Sequence, residues 1–554
     1  MGVSRPAQGV LPLLAEVETK EHLVRADLAE IASLSVALGA TEVGGPLSPE
    51  ERRLVALASR PPASLDEVRE SILRGLDPLG DAICSLRSTS ERRRLGTFYT
   101  PSAIVKNMVA WALRRKPVRF VDPGCGSGRF AAQAIRQNPD LEIVAVDVDP
   151  LATLACRAVF ATLGAGRSVV LNRDYTSMSL PPTTGRTSFV GNPPYVRHHR
   201  LTALQKAEAK RAATELGIEL SGLSGLHVHF FLATLRHSRS GDVGCFITSS
   251  EWLDVSYGAA LRTALLDGLG GVGLHLLAPE AAAFDDAMTT AVITCFEVGK
   301  TSSGFRMRTA ASASALGDLD GGGRNVALSR LREAQRWTPL FKRNAPRRPG
   351  HVRLGELVRV SRGAVTGANR FFVMSAKHAR AFGLTSYVVP ALTSAHEVLA
   401  AEGIVRADAA RRVLLDPPTS VELGVPEHEA LRRYLAGGER AGIPRSYVCS
   451  HRRPWWRVAA KFPPIVTTYM ARQPPAFALN PDGLAILNVL HGLFPRVPLE
   501  EDQLLGLVCY LNDHRDELRG RGRTYQGGLE KFEPREMEAI EVPPPSELRR
   551  YANR

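Results

Sequence analysis

Between residues 95 and 300 short, nearly continuous apolar runs alternate with longer stretches in which apolar residues recur every three or four positions. The runs Val118–Asp122, Glu142–Val146, Ser168–Leu171, Phe189–Val190, Gly244–Thr248 and Thr290–Phe296 predict buried strands. The stretches Ile104–Leu113, Arg129–Gln137, Leu226–Leu235 and Ala259–Leu269 predict helices between them. Such alternation predicts an α/β fold built on a doubly wound, mostly parallel sheet. Ahead of it, Leu11–Leu38 and Leu54–Leu86 read as helices around the loop Gly44–Pro49, so residues 1–94 are expected to be a helical N-terminal extension. Near Thr301 the composition turns to Gly, Ser, Ala and Asp, which marks 301–349 as a boundary region, and 350–554 read as a separate α+β domain.

Composition narrows the class. A chain of 554 residues with 44% hydrophobic positions can bury two or three cores. No apolar run reaches membrane-spanning length, and Met1–Gln8 lacks the features of a signal peptide, so a cytoplasmic protein without a membrane partner is expected. Seven cysteines stand singly, with no paired spacing, so neither a disulfide framework nor a metal site is expected. Lys and Arg outnumber Asp and Glu by 70 to 56, which favours a polyanionic partner.

The candidate chemistry gathers at strand ends. The first strand closes on Asp122, and the turn Pro123-Gly124-Cys125-Gly126-Ser127-Gly128 then opens a helix. Glycines let a ligand approach the backbone, and the helix start offers unpaired N–H groups. The second strand ends in Asp147 about 20 residues later, the spacing of a nucleoside site in which the acid accepts from ribose hydroxyls. No Gly-Lys-Ser/Thr phosphate loop accompanies it, which argues against a nucleoside triphosphate. A third strand leads to Asp174-Tyr175, where the acid could accept from an adenine amino group. A fourth leads to Asn192-Pro193-Pro194-Tyr195, whose side-chain oxygen and rigid proline carbonyls can accept from one amino group, with a Tyr ring to stack on a planar base. Upstream, Thr100-Pro101 reads as a helix start with Thr100 as N-cap.

The remaining features are weaker. Phe284 is equally a stacking face or a core residue. His198 and His199 have no partner at ligand spacing, and sit in the basic stretch Arg197–Arg200. In the C-terminal half, Arg362–Phe372, Arg452-Arg453-Pro454-Trp455 and the stretch around Arg523 mix cations with aromatics, as phosphate contacts and groove insertion require.

In this order the motifs resemble the gamma-class S-adenosylmethionine-dependent DNA adenine-N6 methyltransferases of bacterial restriction-modification systems. The match is close over about 95–300 and loose over 350–545. The resemblance implies a Rossmann-like class I methyltransferase domain followed by a target-recognition domain entered near Arg362. It implies that Thr100, Asp122, Gly124, Gly126, Gly128, Asp147, Asp174 and Tyr175 hold S-adenosyl-L-methionine, released as S-adenosyl-L-homocysteine without a metal. Asn192, Pro193, Pro194 and Tyr195 would act on a flipped adenine, with Phe284 against its ring. Double-stranded DNA is the implied partner, contacted by Arg197, Arg200, Arg362, Arg452, Arg453, Trp455 and Arg523, and a cognate restriction endonuclease encoded nearby is a further one. Two positions depart from the family pattern, Gly124 where Ala is common and Arg129 where Asn is frequent, and neither is expected to touch the chemistry. Cytosine-N4, ribosomal-RNA and protein-glutamine methyltransferases share parts of the pattern. The first usually carries Ser at position 192, and the others typically lack so long a C-terminal extension. A non-catalytic DNA-specificity subunit would account for the basic C-terminal half alone.

Overall fold

The computed structural model describes residues 28–59, 62–88, 91, 100–277, 290–341, 348–418, 425–471, 473–519, 521–525 and 529–552. The chain divides into two compact units, Met1–Arg343 and Asn344–Arg554. Among the described residues no helix is long and apolar enough to cross a membrane.

The first unit is built on one nine-stranded sheet: β1 (Arg119–Pro123), β2 (Glu142–Asp147), β3 (Ser168–Asn172), β4 (Thr187–Gly191), β5 (Val243–Ser249), β6 (Gly271–Leu277), β7 (Ala291–Glu297), β8 (Gly304–Ala310) and β9 (Arg324–Ala327). Its order is β3-β2-β1-β4-β5-β7-β6-β8-β9. The pairs from β3 to β5 are parallel, while β7 runs antiparallel to both β5 and β6. The strands read as unbroken apolar runs because both faces are covered. Phe120, Ile143, Val190 and Cys245 enter one core cluster, whereas Val121, Val144, Phe189 and Phe246 enter the other. Helices α5 (Ser102–Leu113), α6 (Arg129–Gln137) and α7 (Pro150–Thr162) fill the first face, and α8 (Leu226–His237) and α9 (Ala259–Asp267) the second. The doubly wound expectation therefore holds.

Two local readings change in detail. The division between units, after Arg343, falls inside the expected boundary region 301–349, but the first part of that region supplies β8 and β9 of the main sheet. Turn-forming residues between 311 and 323 connect these two neighbouring strands. The run Leu54–Leu86 is not continuous. After the helix over 28–37 (α1) come α2 (Pro49–Val55), α3 (Leu65–Leu73) and α4 (Pro78–Leu86). Pro62 and Pro78 cannot continue a helix through their own positions, and Asp77 caps the new start at Gly80 N.

The N-terminal segment is welded to the sheet by one buried cation. Arg157 on α7 and Glu51 on α2 form an ion pair at 2.9 Å with both side chains fully buried. The same guanidinium donates to the carbonyls of Val43, Gly44, Gly45, Pro46 and Val170 at 2.7–3.2 Å. Glu51 in turn accepts from Ser48 N, closing a capping box. The loop Gly44–Pro49 is thereby docked beside β3, with Gly44 bridging Val169.

The second unit has a four-stranded antiparallel sheet, ordered Val358–Arg362, Leu490–Pro495, Ile465–Thr468, Phe477–Leu479, and a mixed four-stranded sheet ordered Val373–Met374, Arg412–Leu415, Val388–Leu392, Ala485–Ile486. Helix Glu501–Asp513 packs on Pro545–Ala552 so closely that a Cβ at Gly506 would lie 1.9 Å from the Leu548 carbonyl oxygen.

Candidate active site

The order of strands reverses between β1 and β4: the chain builds β1, β2 and β3 outward, then returns to lay β4 beside β1, parallel to it. Crevices form at such a switch point because the two adjacent loops leave in opposite directions. Here the glycine turn follows β1 and Asn192 follows β4, and both line one cleft of about 1090 Å³, mouth included.

The turn is held open by backbone conformation. Gly124, Gly126 and Gly128 have φ of 71°, 55° and 90°, a region that costs an L side chain about 1–2 kcal/mol. This backbone conformation, and not space, favours Gly over Ala at 124, because an added Cβ would meet Phe230 and Pro194 at an ordinary contact distance of 3.5 Å. A Cβ at Gly126 would meet nothing within 4 Å, so that backbone is open. Gly128 stands outside the cleft lining. A Cβ there would lie 2.7 Å from Cys156 Sγ, so this glycine lets α6 approach α7.

The acids differ in what they face. Asp122 is fully buried behind the cleft, where Oδ2 accepts from Ala131 N at 3.1 Å. The first turn of α6 has N–H groups to satisfy, and the strand end delivers the carboxyl to one of them. Burial pushes this carboxyl up to about 8. Asp147 lines the cleft, accepting from Gly126 N and Asp149 N at 2.9 Å each. Burial and the Asp149 carboxylate raise it to about 6. Asp174 also lines the cleft, with Oδ1 taken by the Thr176 amide and hydroxyl. Tyr175 contributes a wall from within the core: its hydroxyl meets Thr234 at 2.9 Å and its ring packs 5.3 Å from Phe230.

Asn192 and Pro194 line the cleft from the β4 side. Asn192 Nδ2 donates to Thr100 Oγ1 at 3.2 Å. Thr100 therefore does not cap the helix. Pro101 holds the N-cap position of α5, which places Thr100 one residue before it, and the Thr100 hydroxyl accepts from the Asn192 amide instead. Pro193 is buried, and Tyr195 packs against the core cluster shared with α5 and α6. Burial drives its hydroxyl well above the usual tyrosine range. Phe284, Phe98 and Tyr99 lie outside the described residues.

Sequence reasoning missed several lining residues. Ile83 and Arg87 come from the N-terminal extension, and Val148, 63% exposed, presents an apolar face directly after Asp147. Arg129, expected to stand apart from the chemistry, also lines the cleft. An apolar residue exposed immediately after a strand-end acid was a usable signal for Val148; nothing local marked the others.

The basic candidates fare unequally. Arg197 and Arg200 are exposed just after Tyr195. In the second unit Arg362 pairs with Glu533, Arg452 donates to the Val365 and Thr366 carbonyls, and Arg453 to those of Ser450 and Arg452. Trp455 packs near Phe371 and Phe372 and reaches Glu439. Each of these four thus has a partner within its own unit. The Arg523 side chain lies outside the described residues. Among the described residues no group of three or more His, Cys, Asp or Glu could hold a metal ion.

Sheet order, glycine turn and switch-point cleft define a Rossmann-like class I methyltransferase. Three families match parts of the chain: the N-6 DNA Methylase family over residues 79–216, the Eco57I restriction-modification methylase family over 187–268, and the C-terminal domain of Type II methyltransferase M.Eco57I over 340–553. The chain is 41% identical over 513 residues to Type II methyltransferase M.XamI of Xanthomonas campestris pv. amaranthicola, covering 90% of this chain and 94% of that one. It is 23% identical to Type II methyltransferase M.AccI of Acinetobacter calcoaceticus, over 81% of this chain and 85% of that one. Among solved structures, the Type IIL restriction-modification enzyme MmeI in complex with DNA shares the fold with a TM-score of 0.54 at 14% identity, covering 92% of this chain and 79% of that one. The chain belongs to the gamma-class Type II DNA methyltransferases of restriction-modification systems.

Proposed function

We propose that this protein transfers a methyl group to N6 of adenine in double-stranded DNA, with S-adenosylmethionine as donor and the base flipped out of the duplex. The observation that carries the reading is the placement of Asn192 and Pro194 in the same cleft as the glycine turn and Asp147. The cleft fits the cofactor: open glycine backbone, acids for hydroxyl and amino groups, and the apolar face of Val148 for a planar base. Asp147, Asp174 and the Gly124–Gly126 turn would hold it. Bound there, it supplies an electrophilic methyl on a sulfonium centre.

The chain's own work is on the acceptor. An adenine amino group is inaccessible within the stack, and its lone pair is delocalised into the ring. Hydrogen bonds from N6–H to the Asn192 side-chain oxygen and the Pro193 carbonyl localise that lone pair. Tying Nδ2 to Thr100 fixes which end of the Asn192 amide accepts, so the group needs little reorganisation. Tyr195, its ring already packed on the core, offers a stacking face. Asn at 192 favours adenine over cytosine N4. Arg197 and Arg200, exposed beside Tyr195, are the phosphate contacts favoured in the first unit, and the second unit serves as the target-recognition domain. Action in the cytoplasm beside a cognate endonuclease completes the proposal.

Tritiated-methyl transfer to unmethylated DNA, followed by identification of the product nucleoside, tests this. N6-methyladenine is expected. N4-methylcytosine, or label only in RNA or protein, overturns the assignment.

The raised Asp147 carboxyl adds a pH dependence. Above about 6 it is ionised and accepts from a ribose diol; below, one oxygen becomes a donor. Affinity for S-adenosylmethionine is expected to fall by on the order of tenfold between pH 7 and pH 5. Calorimetric titration across that range reads the effect, and Asp147→Asn should bind weakly with a flat profile.

A further inference from the structure

Helix α4 lies across the cofactor cleft from one bank to the other. At its start Asp77 Oδ2 accepts from Ser127 Oγ and Arg129 Nε, each at 2.5 Å, and Arg129 Nη2 reaches Asp81 at 2.6 Å. A Cβ on Gly80 would stand 2.5 Å from Ser127 Oγ, so the helix backbone rests on the glycine turn. Just past its end Arg87 pairs with Asp149, both side chains less than a fifth exposed. Nine residues span about 13 Å. Every anchor on the far side belongs to the cradle itself: Ser127 and Arg129 to the glycine turn and α6, Asp149 to the loop after Asp147. Ile83, between the anchors, and Arg87 itself line the cleft.

The bonds continue inward. Asp149 N donates to Asp147 Oδ1, so Arg87, Asp149 and Asp147 form one chain from the N-terminal segment to the acid facing the ribose. We propose that residues 77–87 are the outer wall of the cofactor site, with Arg87 a positioning residue that holds Asp147 through Asp149 and Ile83 an apolar contact to the bound nucleoside. The proposal rests on S-adenosylmethionine occupying this cleft. It makes the extension part of the binding site, and it accounts for Arg at 129, which an Asn could not replace in reaching both Asp77 and Asp81.

Two measurements on the full chain test it. Titration calorimetry with S-adenosylmethionine is expected to show Arg87→Ala weakened by about tenfold to a hundredfold, Arg87→Lys largely restored, and DNA affinity without cofactor unchanged in both. Hydrogen exchange on wild-type protein needs no variant: amides of 78–86 should gain protection when the cofactor is added. Arg87→Ala binding within twofold of wild type, with exchange over 78–86 indifferent to cofactor, overturns the wall while leaving the cofactor reading intact. Wild-type protein that binds no S-adenosylmethionine overturns both.

Discussion

Asn192→Ala is expected to lower the methylation rate by about a hundredfold to a thousandfold, with affinity for S-adenosylmethionine changed by only a few-fold. The magnitude is that of removing one preorganised polar group from a charge-developing centre, about 2.7–4 kcal/mol. The split follows from placement. Asn192 follows β4, across the switch point from Asp147, and its side-chain Nδ2 donates to Thr100. Loss of the amide therefore removes the acceptor for N6–H while the cradle on β1 and β2 stands. Single-turnover rates and cofactor titration, measured on the same preparation, separate the two. Equal losses in rate and cofactor affinity would show that Asn192 serves the cofactor and not the base.

The largest stability effect is expected at Arg157. Arg157→Met keeps nearly the same side-chain length but removes the guanidinium, leaving Glu51 fully buried without its partner and five carbonyls each short of one donor. Breaking one side of a buried pair costs about 3–5 kcal/mol, because the remaining charge stays desolvated. Urea unfolding followed by fluorescence should show that loss. Glu51→Gln, which keeps an acceptor for Arg157 and Ser48, should cost less than Arg157→Met. A loss under about 1 kcal/mol for Arg157→Met would mean that water reaches the loop and replaces the guanidinium.

What could be read in advance had local causes. Strands buried on both faces must be apolar throughout, so β1, β2, β4, β5 and β7 announced themselves as runs, and helices between them by their period. Glycine turns and strand-end acids follow backbone chemistry within a few residues, so the edge carrying Asp147, Asp174 and Asn192 was visible as a pattern. Strand β8 and the edge strand β9 were not, because strands with exposed positions and Gly and Ser connections look like loops. The partners that Arg362, Arg452 and Trp455 have within their own unit were not legible, because sequence shows charge and aromaticity but not the carbonyls, carboxylates and rings around them.

The sequence by itself determined the α/β class, the order of motifs and which residue types reach the chemical edge, since each depends on neighbours in the chain. Tertiary structure alone decided their partners. Thr100 meets Asn192 across 92 positions, Asp122 serves a helix start instead of the cleft, and α4 reaches Ser127 and Asp149 from an extension with no motif of its own. Such contacts depend on how helices close over a sheet, and the free energy that fixes them comes from burying groups that are far apart until the chain has folded.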